Sequence, residues 1–355
     1  MSRLEQVIGR IRPLDRESMV QARARQDSLT KPQGSLGRLE ELSIKLAGCQ
    51  GRAMPSAERK AIIVMAGDHG VAEEGVSLYP QEVTGQMVLN FLNGGAGINV
   101  LARLAGARVV VVDMGVKSDL PSHPDLLSRR IGPGTANMAR GPAMTREQAL
   151  AAVETGIEIV EAEVARGLDL VAGGDMGIAN TTPSSAITAV LAGVPVARAV
   201  GRGTGVRGQQ LAHKIAVVEQ ALEVNRPDPS DALDVLARVG GFEIGGLAGV
   251  MLGAATHRVP VVVDGFISSS AALVAAGLCP IAKDYFIAAH RSAESGHRAL
   301  LRHLRLRPVL DLDLRLGEGT GAALAMLLAE ASVRVLREMA TFADAGVSTA
   351  EGAEG

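Results

Sequence analysis

From about residue 58 the chain alternates short apolar runs with longer stretches of helical composition. The runs are residues 61–65, 108–113, 168–172, 259–264, 285–288 and 308–316. Such alternation predicts repeated strand–helix units. The apolar residues are consecutive rather than every second one, as in strands buried on both faces, so the strands should lie parallel with helices covering them. The expected fold class is α/β: an open, mostly parallel sheet of about six strands with helices on both faces. Residues 1–55 read differently, with helical stretches over about 16–27 and 36–49 separated by Thr30-Lys31-Pro32-Gln33-Gly34-Ser35. A final helix from Gly321 to about Phe342 has no strand after it. Residues 1–55 with 321–355 are therefore expected to form a small helical lobe beside a large Rossmann-like α/β domain over 56–320. Residues 348–355, small and acidic, are expected to fray.

The residues at the end of each apolar run narrow the picture. Gly67-Asp68-His69-Gly70, Asp113-Met114-Gly115, Gly173-Gly174-Asp175-Met176, Asp264-Gly265, His290-Arg291-Ser292 and Gly317-Glu318-Gly319 all stand there. A parallel sheet gathers these segments at one edge, where ligands bind. Acids, histidines and glycines have no structural reason to collect there, whereas an active-site crevice needs them.

Composition excludes several classes. Lysines and arginines number 36 against 38 acids, for a formal charge of -2, and they are spread along the chain. That is no footprint for nucleic acid or an anionic membrane. With no Trp, two Tyr and five Phe, a base-stacking nucleic-acid surface is disfavoured too. Cys49 and Cys279, the two cysteines, lack disulfide or zinc spacing, which fits a reducing compartment. The charged start and the interrupted apolar stretches predict neither a secretory signal nor a spanning helix. A cytoplasmic enzyme acting on small molecules is the expectation.

Individual motifs differ in weight. Gly203-Thr204-Gly205-Val206-Arg207-Gly208 fits G-x-G-x-x-G after a possible strand over 194–200, but residues 209–225 read as one helix with no following strand to supply a ribose-binding acid. A glycine loop touching a phosphate, with Lys214 in the helix behind it, reads better than a dinucleotide site. Val261-Val262-Val263-Asp264-Gly265 ends in one acid where a magnesium–pyrophosphate loop needs two, so Asp264 reads as a capping residue. His69, His257, His290 and His297 are too scattered for a metal site, and no metal or other cofactor is expected. Asp311 and Asp313 share one face of the expected last strand and could steady neighbouring loops. In Gly173-Gly174-Asp175-Met176-Gly177-Ile178-Ala179-Asn180-Thr181-Thr182, residues 180–182 offer an N-cap and free N–H groups, a natural anion site. Glu318, framed by glycines where the last run meets a helix, is the most exposed-looking carboxylate.

Taken together, Lys31-Pro-Gln-Gly-Ser-Leu-Gly-Arg-Leu-Glu40, Gly67-Asp-His-Gly-Val-Ala72 with Gly75-Val-Ser77, Gly173-Gly-Asp-Met-Gly-Ile-Ala-Asn-Thr-Thr182, Gly201-Arg-Gly-Thr-Gly205, His290-Arg-Ser-Ala-Glu294 and Leu316-Gly-Glu-Gly-Thr-Gly321 resemble the nicotinate-nucleotide:dimethylbenzimidazole phosphoribosyltransferases. The resemblance runs from about residue 25 to the last helix. It implies transfer of 5-phosphoribose from nicotinate mononucleotide to 5,6-dimethylbenzimidazole, giving α-ribazole 5′-phosphate and nicotinate for the lower ligand of cobalamin. It further implies Glu318 as general base and Asp175 as the supporting acid at the ribose. Phosphate and ribose would meet Gly177, Asn180, Thr181, Thr182, Gly203, Lys214 and Ser292, and the base pocket would take Tyr79, Met87, Met176 and Leu316. Many relatives carry Glu where this chain has Asp175, an acid one methylene shorter. A homodimer is implied, with Phe242-Glu243-Ile244-Gly245 as a guess at part of its interface.

The chemistry suits these residues. The leaving ring is a pyridinium that departs as a neutral nitrogen, so no acid is needed. One carboxylate taking the N–H proton of the attacking benzimidazole suffices, and general-base help of this kind is worth ~10²–10⁴-fold. Glu318 would feel two opposed influences, a helix N-terminus favouring its anion and apolar neighbours disfavouring it. The competing readings are a nicotinamide-cofactor oxidoreductase using the 203–208 loop and a non-catalytic nucleotide-binding regulator. The preferred base among benzimidazoles and purines is not fixed by these residues.

Overall fold

The computed structural model describes residues 2–348, and residues 349–355, most of the expected frayed end, lie outside them. Six strands, β1 (Lys60–Gly67), β2 (Ala107–Gly115), β3 (Leu126–Ser128), β4 (Leu170–Met176), β5 (Val261–Val263) and β6 (Phe286–Ala288), form one sheet in the order β3-β2-β1-β4-β5-β6. Every pairing is parallel. The strand order reverses direction between β1 and β4, the switch point where open α/β sheets form their ligand crevice.

Side chains of β1 show why the run had to be apolar throughout. Ala61, Ile63 and Met65 pack into one helix layer, while Ile62, Val64 and Ala66 pack into the other. The first layer includes the Arg146–Ala165 and Phe242–Thr256 helices. They cross so closely that a Cβ on Gly156 would overlap the carbonyl of Gly246, and one on Gly249 would overlap that of Val153. The opposite layer contains the Gly97–Ala105 helix and the inner face of the Thr320–Glu338 helix. The outer face of that last helix meets the Arg16–Ser28 and Arg38–Gln50 helices around Ala22, Ile44, Ala47 and Leu336. Arg25 ties the group by donating to the carbonyls of Leu336 and Met339.

Three expectations are corrected. Residues 308–316 are not a strand: Leu310 alone makes a bridge, to His290, and the rest is irregular. Its leucines alternate with charges, and Leu312 and Leu316 are exposed, so it runs over the edge of the sheet instead of within it. The sixth strand is β3, whose three residues are too short a run to stand out in the sequence. Residues 194–200 hold a helical turn, Val196–Ala199, rather than a strand. Finally, Phe242-Glu243-Ile244-Gly245 is fully buried within the chain, because its helix lies against the sheet, so it is not available to a second copy.

Candidate active site

At the carboxyl ends of β4, β5 and β6 lies a cavity of about 470 Å³, lined among others by Tyr79, Met87, Asp175, Met176, Gly177, Asn180, Thr181, Gly203, Ser292, Leu316 and Glu318. All of these are expected site residues. Thr182 and Lys214, the other two, stand one layer behind. A wider hollow of about 750 Å³, beside Thr135, Met144 and Arg238, is lined by none of them.

Glu318 owes its position to an unusual backbone. Gly317, Glu318 and Gly319 have φ of 84°, 63° and 89°, three left-handed residues in succession. Only glycine adopts this conformation freely, so Glu318 is held there by its surroundings. Gly174 of β4 makes room, since a Cβ on it would overlap the Glu318 carbonyl. The Glu318 carboxylate is 5% exposed, and its Oε2 accepts the Ile98 N–H at 3.2 Å. Ile98 belongs to the first turn of the Gly97–Ala105 helix, so the helix end that favours the anion is that one and not the helix Glu318 precedes. Burial outweighs this bond and, with a smaller contribution from the Asp264 charge, holds the carboxyl above the usual range.

Asp175 sits at the end of β4 with Oδ2 accepting from Asn180 Nδ2 at 2.9 Å. The expected helix cap at Asn180 is absent; its side chain makes no cap bond and is committed to Asp175 instead. Burial first, then the Asp264 carboxylate, push Asp175 up to about 8, against the Asn180 bond. Its carboxyl is therefore biased toward the protonated form, in which it can donate a hydrogen bond.

Thr181 and Gly203 form the polar end. Lys214 Nζ donates to Thr181 Oγ1 at 2.6 Å, and Gly203, with φ 51°, leaves open the space beside that ammonium. Burial lowers Lys214 to about 8, while Glu294 works the other way. The Ser292 N–H donates to His297 Nδ1 at 2.9 Å. Burial and the neighbouring His290 depress His297 to about 3, so it remains a neutral acceptor. The opposite wall is apolar, with Val83, Met87, Met176 and Ile178, and with Tyr79 and Leu316 exposed.

Several wall residues lie beyond those the sequence pointed to. His290, which the sequence places at the end of an apolar run, and Glu294, marked only as part of a motif, line the cavity; Arg315, Phe266 and Ile267 carry no local signal. Asp68-His69 serves a supporting purpose. His69 Nε2 pairs with Glu243 Oε1 at 2.9 Å, both buried, and a Cβ on Gly177 would stand 3.1 Å from that same nitrogen. Asp311 pairs with Arg291 at 2.5 Å, steadying the loop after β6. Among the described residues no group of three or more His, Cys, Asp or Glu is placed to hold a metal ion. The 203–208 glycine loop follows a helical turn, not a strand, which removes the structural context of a dinucleotide fingerprint.

A crevice with a buried lysine behind one wall, a buried carboxylate above its usual range and an apolar side has the make-up of a transferase site for a phosphate-bearing substrate and an apolar partner. The phosphoribosyltransferase family model matches residues 11–347. The nicotinate-nucleotide–dimethylbenzimidazole phosphoribosyltransferase of Chloroflexus aggregans is 61% identical over 348 residues, covering 98% of this chain and 99% of its own. The enzyme of that name from Desulforudis audaxviator is 60% identical over 351 residues, covering 99% of each. The crystal structure of CobT from Thermus thermophilus superposes with a TM-score of 0.91 at 51% identity, over 94% of this chain and all of that one. The chain belongs to the nicotinate-nucleotide–dimethylbenzimidazole phosphoribosyltransferase family.

Proposed function

We propose that this enzyme transfers 5-phosphoribose from nicotinate mononucleotide to 5,6-dimethylbenzimidazole in a single inverting displacement, with Glu318 as general base. The observation that carries the reading is the Glu318 carboxylate: buried at the cavity wall, above its usual range, with apolar residues beside it and the Lys214 end of the cavity left for the phosphate. One benzimidazole nitrogen attacks C1′ from the face opposite the ring being lost. The C1′–N bond breaks, its electron pair returns to the pyridinium nitrogen, and nicotinate leaves neutral at that atom. The proton on the other benzimidazole nitrogen passes to Glu318 and then to solvent. Inversion of the β-linked donor gives the α product.

The remaining residues bind and orient. Thr181, Gly203, Lys214 and Ser292 hold the phosphate, with Thr182 behind them. Asp175, Asn180 and Gly177 face the ribose, Asp175 as a hydrogen-bond donor. Tyr79, Met87, Met176 and Leu316 enclose the benzimidazole. Fixing donor and acceptor in this way contributes through orientation rather than chemistry.

The test is Glu318→Gln assayed by nicotinate release and product mass. Turnover should fall by ~10²–10⁴-fold with the KM for nicotinate mononucleotide retained; turnover within about threefold of the parent chain would remove Glu318 from the base role. We further read the enzyme as a cytoplasmic homodimer. No helix among the described residues is long and apolar enough to cross a membrane. Light scattering on the eluted enzyme measures its mass, and a monomer would end the dimer reading.

A further inference from the structure

Asp264 touches no part of the cavity yet lies under its most strained feature. It follows β5, is completely buried, and accepts the Ala322 N–H through Oδ1 at 2.8 Å. The backbone N–H groups of Gly319 and Gly321 also favour the charged form of this carboxylate. One side chain from a separate strand thus gathers the backbone immediately after Glu318. Gly321 is required for it: a Cβ there would overlap His290 and stand 2.9 Å from Asp264 Oδ1.

We infer that Asp264 is a positioning residue for the general base, holding the Gly317–Ala322 turn from beneath so that Glu318 keeps its left-handed backbone and presents its carboxylate to the cavity. The inference rests on Glu318 acting as that base. A left-handed non-glycine residue costs about 1–2 kcal/mol, so the turn opens unless it is tied at both ends. At its front Thr320 Oγ1 donates to the Gly317 carbonyl at 2.8 Å, and the Ile98 N–H holds the Glu318 carboxylate. At its back there is Asp264.

A second observation shows that more than a tie is present. Oδ2 of Asp264 is buried without a hydrogen-bond partner, and the nearest basic group, His290 Nε2, stands 3.8 Å from Oδ1. A buried, half-satisfied carboxylate is a costly way to cap a helix, and a neutral acceptor would do that alone at lower cost. The charge has a use: it adds to burial in keeping Glu318 a stronger base. The titratable groups facing Asp264 are Asp175 from β4, His290 after β6 and Glu318 itself, with Glu243 beyond Asp175.

The test compares Asp264→Ala, Asp264→Asn and Ala322→Pro by steady-state kinetics with nicotinate mononucleotide and 5,6-dimethylbenzimidazole. Asp264→Ala should lower kcat by about 10²-fold, the loss that a roughly 1 Å misplacement brings, with the KM for nicotinate mononucleotide within about threefold, since the phosphate end is built elsewhere. Asp264→Asn restores an acceptor and should recover part of kcat. It should also move the acid limb of kcat/KM to lower pH, because the charge that strengthens Glu318 is gone. Repeating this in an Asp175→Asn background assigns the limb to Glu318. Ala322→Pro removes the N–H that Asp264 Oδ1 accepts and leaves the charge. It should lower kcat with the acid limb unmoved, and it keeps the inference testable if the Asp264 variants do not fold. An unmoved limb in Asp264→Asn, or kcat unchanged in Ala322→Pro, overturns the inference. If Glu318→Gln itself keeps its turnover, the base assignment has failed instead, and the two failures are told apart.

Discussion

Replacing Asp175 by Asn should make the folded chain more stable, and increasingly so as pH rises. In the unfolded chain this carboxyl loses its proton near 3.8, whereas in the fold it retains it to about 8. Between those limits the folded state binds the extra proton, so stability is lost steadily as pH climbs from about 4 to about 8 and is flat beyond. Each pH unit of the gap is worth about 1.4 kcal/mol, and 8 minus 3.8 leaves about 4 units, for a ceiling of about 6 kcal/mol. Asp175 is 6% exposed on the wall of an open cavity, so water solvates part of its charge. About half the ceiling, roughly 3 kcal/mol, is the working magnitude. Asn keeps the shape and can still meet Asn180. Parent and variant should therefore differ by about 1 kcal/mol at pH 4.5 and by roughly 3 kcal/mol at pH 8.5, the latter about 4 °C in Tm for a chain of 355 residues. Urea unfolding of the ligand-free protein at both pH values measures it. A difference that is the same at the two pH values would show that Asp175 is ionised at neutrality, and the donor role at the ribose would go with it.

Two further outcomes come from the geometry. Lys214→Met should raise the KM for nicotinate mononucleotide by about 10–100-fold, the worth of a charge-assisted bond to phosphate, with kcat little changed; kinetics that show the reverse would move Lys214 from binding to chemistry. Gly156→Ala should destabilise the fold by about 1–3 kcal/mol because its Cβ overlaps the Gly246 carbonyl and the two helices must part, an effect that differential scanning calorimetry reads as a lower Tm.

Legibility in the sequence tracks burial. Strands β1, β2 and β4–β6 are readable because both their faces are covered, which writes consecutive apolar residues into the chain. β3 is not, since a three-residue edge strand needs no such run, and residues 308–316 mislead because leucines alternating with charges imitate a strand with one wet face. The cavity residues that announce themselves sit in glycine-rich segments at the ends of apolar runs: Asp175, Gly177, Gly203 and Glu318. Those that do not, such as Arg315 and Ile267, arrive through tertiary approach alone. Asn180 illustrates the limit. Its place at a helix start suggests a cap, but the preference for that place cannot reveal a buried carboxyl within reach, and the stronger partner takes the side chain.

The charge states of the cavity bear on why the proposed donor suits it. Burial raises Asp175, Asp264 and Glu318 and lowers Lys214, so every one of these four groups is biased toward neutrality. A ligand bringing charge of the opposite sign to each end relieves that bias. Nicotinate mononucleotide carries an anionic phosphate, which favours protonated Lys214, and a cationic pyridinium, which favours ionised carboxylates nearby. In the proposed mechanism, donor binding thus prepares Glu318 as a base before the acceptor's proton must be taken. Once the ring has left, its positive charge is gone and the carboxylate regains its pull on a proton at the moment the benzimidazole N–H becomes acidic. The groups that burial holds toward neutrality are thus the ones that respond to the donor's charge, and an uncharged analogue of the donor ring should bind without lowering the acid limb of Glu318.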